Sequence, residues 1–223
     1  MARSARIVVP GGYHHVAQRG NNKQEVFHGE ADYKKYCAVL RLYSNKHECK
    51  VGAYCLMPNH VHLLVRPPEK DNLAAFMKCV NVAYQHHLNE TTGFVGHVWQ
   101  GRYYSAPVEE GADLWTVCAY IDKNPLRAAM VADPCDYPFS SAVAHEQGKR
   151  DYVLTDVLFK GRDALDYGNT LHSEELNKRD LERIRLSTQK GHPIGGSAFK
   201  RIVETLIGRP LIMRPSGRPR LAP

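Results

Sequence analysis

Two histidines separated by one residue, His60-Val61-His62, stand inside the run from Ala53 to Val65. The segment from His60 reads as a β-strand, since Leu63, Leu64 and Val65 continue its apolar character. Side chains two apart on a strand share a face, so the imidazoles are neighbours and make half a site for a divalent metal. A solvated or hydrogen-bonded pair would look the same in sequence. Farther along, Tyr120 and Asn124 are four apart, which on a helix puts a phenol and a carboxamide on one face. The phenol could attack a phosphodiester, and the amide oxygen could be a third metal ligand. Each also has an ordinary reading. Helix tyrosines mostly pack as aromatics, and Asn124-Pro125 spells a helix cap followed by proline at the first helical position.

Three further side chains suit an anionic ligand. His15 and Arg19 are four apart on a short strand and so lie on one face. They would flank the histidine pair or touch phosphate if the two strands are neighbours; a His15 satisfied by a neighbouring group is an equal reading. Arg102 follows Trp99-Gln100-Gly101, where a guanidinium suits either bidentate phosphate contact or an ion pair anchoring the loop.

The elements that must position these groups follow from periodicity. Tyr13 to Arg19 alternates as a strand and ends at Gly20-Asn21-Asn22. Asp32 to His47 has apolar residues at helical spacing. Lys50 to Met57 and His60 to Arg66 are strands joined through Pro58-Asn59, a turn dipeptide. Asp71 to Asn89 is a second helix, Arg102 to Val108 a short strand, and Leu114 to Met130 helical with an interruption at Asn124-Pro125. This order predicts an α+β fold, a ferredoxin-like split βαβ antiparallel sheet with helices on one face and the other face available for a site. Beyond it, Val153 to Phe159, Ser173 to Ser187 and Ser197 to Ile207 read as helices of a small C-terminal appendage. The boundaries expected are 1–145 for the main domain, 146–208 for the appendage and 209–223 for a flexible basic tail too rich in proline for helix or central strand.

Composition narrows the partners. The 223 residues carry a formal charge of +7, with a pI near 9.1, which favours a polyanion. From Arg185 to the end, eight basic residues face one acid, Glu204. The six cysteines show no C-x-x-C spacing, which argues against a zinc knuckle or redox motif. They are expected to be reduced and partly buried. No stretch is long and apolar enough for a membrane span or a signal core, so a cytoplasmic, nucleoid-associated protein without membrane contact is expected. In the tail, Ser216-Gly217-Arg218-Pro219-Arg220 resembles the core of an AT-hook, which inserts arginine into narrow minor grooves. An unspecific electrostatic arm is the reading preferred for Arg218 and Arg220.

Several blocks together resemble the REP-associated tyrosine transposases of the single-tyrosine HUH superfamily. They are Tyr13-His-His-Val-Ala-Gln-Arg-Gly-Asn21, Val26-Phe27, the run from Ala53 through His60-Val-His62 to Val65, Gly96-His-Val-Trp-Gln-Gly-Arg102, Tyr120-Ile-Asp-Lys-Asn-Pro-Leu-Arg-Ala128 and Tyr137-Pro-Phe-Ser-Ser141. The resemblance implies that His60 and His62 bind Mg²⁺ or Mn²⁺, with Asn124 the weaker candidate for the remaining protein ligand, and that Tyr120 is the nucleophile. It implies single-stranded DNA carrying hairpin-forming palindromes as partner, nicked through a 5′-phosphotyrosine and rejoined by a free 3′-hydroxyl, by a monomer or homodimer. A domesticated relative that binds hairpin DNA without cutting is the alternative. Such a binder needs none of His60, His62 and Tyr120, all of which are present. A hydrolase of small phosphoesters is a third reading, for which a covalent tyrosine and a basic tail would be superfluous.

Overall fold

The computed structural model describes residues 5–93, 95–159, 162–172 and 176–211. Four strands, β1 (Tyr13–Arg19), β2 (Lys50–Met57), β3 (His60–Arg66) and β4 (Tyr104–Val108), form one sheet in the order β2-β3-β1-β4. Every neighbouring pair is antiparallel. Helix α1 (Glu30–Lys46) connects β1 to β2, and α2 (Asn72–Thr92) connects β3 to β4. Each crossover therefore spans one intervening strand, which is the split βαβ arrangement expected from the element order.

Period-two alternation sorts the strands into two cores. Val16, Val61, Leu63, Val65 and Leu56 face α1 and α2, where they meet Tyr36, Leu40, Phe76, Met77 and Tyr84. Tyr13, Ala53, Cys55, Leu64 and Ala106 face the opposite way. In β2 the register shifts between Val51 and Ala53, so Val51 joins the first core and Ala53 the second although they are two apart. This bulge lies at Gly52, where an added Cβ would come within 3.1 Å of the Leu158 side chain.

An apolar second face has to be covered, and the C-terminal half covers it. Helices α3 (Ala112–Asp122) and α4 (Asn124–Arg127) are followed by α5 (Ala142–Gln147), α6 (Arg162–His172), α7 (Lys178–Lys190) and α8 (Ser197–Ile207). Phe159, Tyr167, Leu171, Ile184 and Ile194 join Leu114, Val117 and Ile121 in the second core. The segment expected to form an appendage thus contributes side chains to the main sheet's packing. Val153 to Phe159, expected as helix, is irregular. The β2 edge explains it: Thr155 and Asp156 donate backbone N–H groups to the Val51 carbonyl at 3.0 and 3.1 Å, and Thr155 Oγ1 accepts the Val51 N–H at 2.8 Å. Satisfying an exposed strand edge outweighs a short helix. The helix expected over Ser173 to Ser187 begins at Lys178, and α6 precedes it. Ser197 to Ile207 forms as expected.

The pose of α3 is set by a buried ion pair at its last residue. Asp122 Oδ2 accepts from the Tyr167 hydroxyl at 2.6 Å and His145 Nδ1 at 2.7 Å, and Asp122 Oδ1 lies 2.7 Å from Ser141 Oγ. His145 Nε2 is 2.8 Å from the Gly52 carbonyl at the bulge. Both ring nitrogens face acceptors, so both donate and the ring is an imidazolium. Burial opposes that charge, but the Asp122 carboxylate and the Gly52 carbonyl outweigh it and lift His145 above its ordinary 6.5. Replacing His145 by alanine leaves Asp122 buried without a counter-charge and should cost roughly 3–5 kcal/mol, read as a lower denaturant midpoint. The folded chain holds this proton more tightly than the unfolded chain. Its contribution is therefore full below 6.5 and fades as the pH rises through the elevated folded value. The stability gap between the parent and His145→Ala should narrow in alkali.

Candidate active site

His60 and His62 project from β3 onto the second face, and α3 brings Tyr120 over them. The His60 and His62 ring centroids are 5.1 Å apart. The Tyr120 ring stands edge-on at 5.5 Å from His62 and 5.5 Å from His15. His15 and His62, on adjacent strands, stack at 5.1 Å with planes 11° apart. Three imidazoles and a phenol, carried by β1, β3 and α3, thus share one small volume.

Hydrogen bonds decide which ring nitrogens carry protons. Thr188 Oγ1, in the last turns of α7, donates to the Ile184 carbonyl at 2.8 Å. Having spent its proton there, it can only accept from His15 Nδ1, 2.7 Å away. A neutral His15 then keeps a lone pair on Nε2 and accepts from His62 Nδ1 at 2.9 Å. His62 Nε2 is left with its lone pair. The same logic holds for His60. Asn59 donates its Nδ2 to the Lys23 carbonyl at 3.2 Å, so its Oδ1 accepts from His60 Nδ1 at 2.6 Å, and His60 Nε2 is the unprotonated nitrogen. Outer hydrogen bonds that lock the tautomer are how metal-binding histidines are oriented.

All three rings stay neutral at physiological pH. Burial, helped by the positive charges of Arg19 and Arg127, holds His60 down to about 4. Burial and then Arg127 bring His15 to about 3. His62 falls well below its usual range through burial and its two histidine neighbours. Two neutral imidazoles with outward lone pairs fit a divalent cation. Tyr120 is pushed up by burial, with Arg127 and Arg185 acting in the opposite direction. The Arg127 guanidinium lies 4.5 Å from the centroid of the Tyr120 ring and donates to the Tyr120 carbonyl.

Not every expected residue is placed as the sequence reading had it. His15, expected among DNA contacts, is 1% exposed with both nitrogens engaged, so it orients His62 and does not reach a phosphate. Arg19 pairs in register with His60 and is exposed, at the rim of the site. Arg102 is exposed before β4 and is not among the charges acting on these rings. Arg218 and Arg220 lie outside the described residues. Asn124 donates its amide to the Tyr120 and Ile121 carbonyls at 2.8 and 3.2 Å, capping the end of α3, which leaves Oδ1 as its only end able to meet a cation. Arg127 was legible only as part of a matching block, and Asn59 as part of another and as a turn residue. Thr188 carries no signal in sequence at all.

Residues 8–124 match the model of the family described as transposase, IS200 like. That span is more than half of the chain. The chain belongs to the IS200-like transposase family. Other comparisons agree with this membership. A Haemophilus influenzae protein, provisionally named a REP-associated tyrosine transposase, is 28% identical over 103 residues, 40% of this chain and 56% of its own length. The match thus spans little more than half of that curated relative. A solved structure of a REP-associated tyrosine transposase bound to a REP hairpin superposes with a TM-score of 0.57 at 16% identity, covering 80% of this chain and all of that one. At that identity the likeness is one of fold. Among the described residues no helix is long and apolar enough to cross a membrane.

If the chain of hydrogen bonds from α7 sets the tautomer, Thr188→Val should release it and Thr188→Ser should keep it. Side-chain ¹⁵N spectra of His62 should lose the Nδ1–H signature only in the valine variant, and Mn²⁺ affinity should fall about 10–100-fold in that variant alone.

Proposed function

We propose that this IS200-like transposase nicks and rejoins single-stranded DNA at hairpin-forming palindromic repeats, with Tyr120 as nucleophile and a 5′-phosphotyrosine intermediate. The observation that carries the reading is the edge-on seat of the Tyr120 ring, 5.5 Å from that of His62. Family membership supports it, and so does the fold shared with a transposase solved on a REP hairpin.

His60 and His62 would hold the cation through the nitrogens whose lone pairs are free, and the family resemblance makes Asn124 the candidate for the remaining protein ligand. When bound, Mg²⁺ or Mn²⁺ supplies charge neutralisation and in-line orientation of the scissile phosphate. The chain's own residues do the rest. Tyr120 rests as the protonated phenol, since burial keeps its pKa above the ordinary 10. Arg127 and Arg185 lower the cost of negative charge building on its oxygen. In the step itself the Tyr120 oxygen bonds to phosphorus, the bond from phosphorus to the 3′-oxygen breaks, and the proton lost by the phenol is balanced by the one gained at the new 3′-hydroxyl. In the reverse sense a 3′-hydroxyl attacks the phosphotyrosine and frees the phenol, so strands are exchanged without ATP. Positive charge at Arg19, on the rim, and from Arg185 onward draws the polyanion in, a contribution that weakens with salt.

Purified protein incubated with single-stranded hairpins from its own genomic neighbourhood in Mg²⁺ or Mn²⁺ should yield a covalent protein–DNA adduct. Tyr120→Phe should abolish that adduct while leaving hairpin binding intact, and His60→Ala should lower cleavage to the level seen under chelation. Cleavage undiminished in Tyr120→Phe would overturn the nucleophile. Binding without any adduct from the parent chain would favour a hairpin-recognition protein. Removing residues 209–223 should weaken binding and flatten its dependence on salt, by about one unit of slope per lost phosphate contact.

A further inference from the structure

A second group of metal-ligating side chains gathers away from the active-site histidines. Asp133 and Cys135 lie at the start of a 3₁₀ turn (Pro134–Asp136), Glu146 is on α5, and His172 is the last residue of α6. Ligand atoms of Asp133, Cys135 and His172 lie within 4.8 Å of one another. His172 Nδ1 is 3.7 Å from Asp133 Oδ2, and Cys135 Sγ is 2.9 Å from Glu146 Oε2.

The outer bonds are those a metal site needs. His172 Nε2 donates to Glu146 Oε1, so in the neutral ring Nδ1 holds the lone pair, on the side of Asp133. Asp133 Oδ1 accepts the Cys135 backbone N–H at 2.7 Å, which fixes the carboxylate and leaves Oδ2 to face the histidine. A carboxylate behind a histidine whose other nitrogen meets further ligands is a recurring metal-site arrangement.

We propose that Asp133, Cys135 and His172 form a zinc site, with Glu146 as the carboxylate that orients His172. Sulfur and imidazole donors select Zn²⁺ over the hard, oxygen-seeking Mg²⁺. Burial, with the Glu146 and Asp133 carboxylates nearby, pushes the Cys135 thiol up, which makes it a poor nucleophile or redox group without a cation. On binding, the proton now on Sγ leaves to solvent as the zinc–sulfur bond forms. His172 is 41% exposed, so an ion can enter from solvent. The site ties the connector that follows Tyr120 and Arg127 to the end of α6. It rests on residues that the DNA reaction does not use, so its fate is separate from the reading of Tyr120.

The test uses the full chain carrying His60→Ala and His62→Ala, which silences the other site, and Co²⁺ as a spectroscopic stand-in for zinc. About one equivalent of Co²⁺ should bind with a thiolate-to-cobalt charge-transfer band and tetrahedral visible absorption, both lost on adding Zn²⁺. Cys135→Ser should remove the band, Cys79→Ser should leave it unchanged, and Glu146→Gln should weaken binding about tenfold. Zinc should raise the thermal midpoint of the double-alanine chain but not after Cys135→Ser is added. Absence of the band, or its survival in Cys135→Ser, would overturn the proposal.

Discussion

A one-way line of donated protons organises the histidine cluster under Tyr120. It begins at the Ile184 carbonyl, which can only accept, and that single fact propagates through Thr188 and His15 to His62. Reversing any member would leave a buried donor facing a donor, at a cost of about 1–3 kcal/mol. Two buried, stacked imidazoles would otherwise have two tautomers each. The threonine removes that freedom, so His62 offers its outer lone pair without waiting for a proton to move. His60 reaches the same state through an unrelated partner, Asn59. Convergence of two independent devices on one outcome is a stronger pointer to metal binding than the His-Val-His spacing.

Tyr120 is placed by a different means. It sits near the C-terminal end of α3, where the backbone carbonyls lack helical partners. The side chains of Asn124 and Arg127 take up the Tyr120 carbonyl, and the Asp122–His145 pair fastens the next turn to the β2 bulge. The same arginine then lies against the phenol ring. One residue thus closes the helix and biases the charge on the side chain it carries, so helix termination and the ionisation of the phenol are coupled at Arg127.

The sheet was legible because its signals are local. Period-two runs bounded by Gly20-Asn21-Asn22 and Pro58-Asn59 marked β1, β2 and β3 residue for residue, and the helical spacing in α1 and α2 was equally plain. His60, His62 and Tyr120 stood out for their chemistry and for the blocks around them. What failed to show was everything set by tertiary contact. Val153 to Phe159 has helix-like apolar spacing, yet the open edge of β2 claims its backbone. For His15 a phosphate contact and a histidine satisfied by a neighbour read equally well in sequence, and the partner, Thr188, lies 173 residues away. Cys135 and His172 carry no motif because their neighbours come from separate segments.

The family match ends at Asn124, but α7 supplies both Thr188 and Arg185. Gly191, with φ of +70°, stops α7 in a left-handed cap that suits glycine, and three residues later Ile194 pairs with Val108 on the free edge of β4. That stitch sets the depth at which the helix end overlies β1. A fragment cut at the family boundary would keep His60, His62 and Tyr120 and lose Thr188, the residue that fixes the His15 and His62 tautomers. Autonomy of the family-matched half is therefore only nominal: the segment beyond residue 124 is built into the geometry of the histidine cluster.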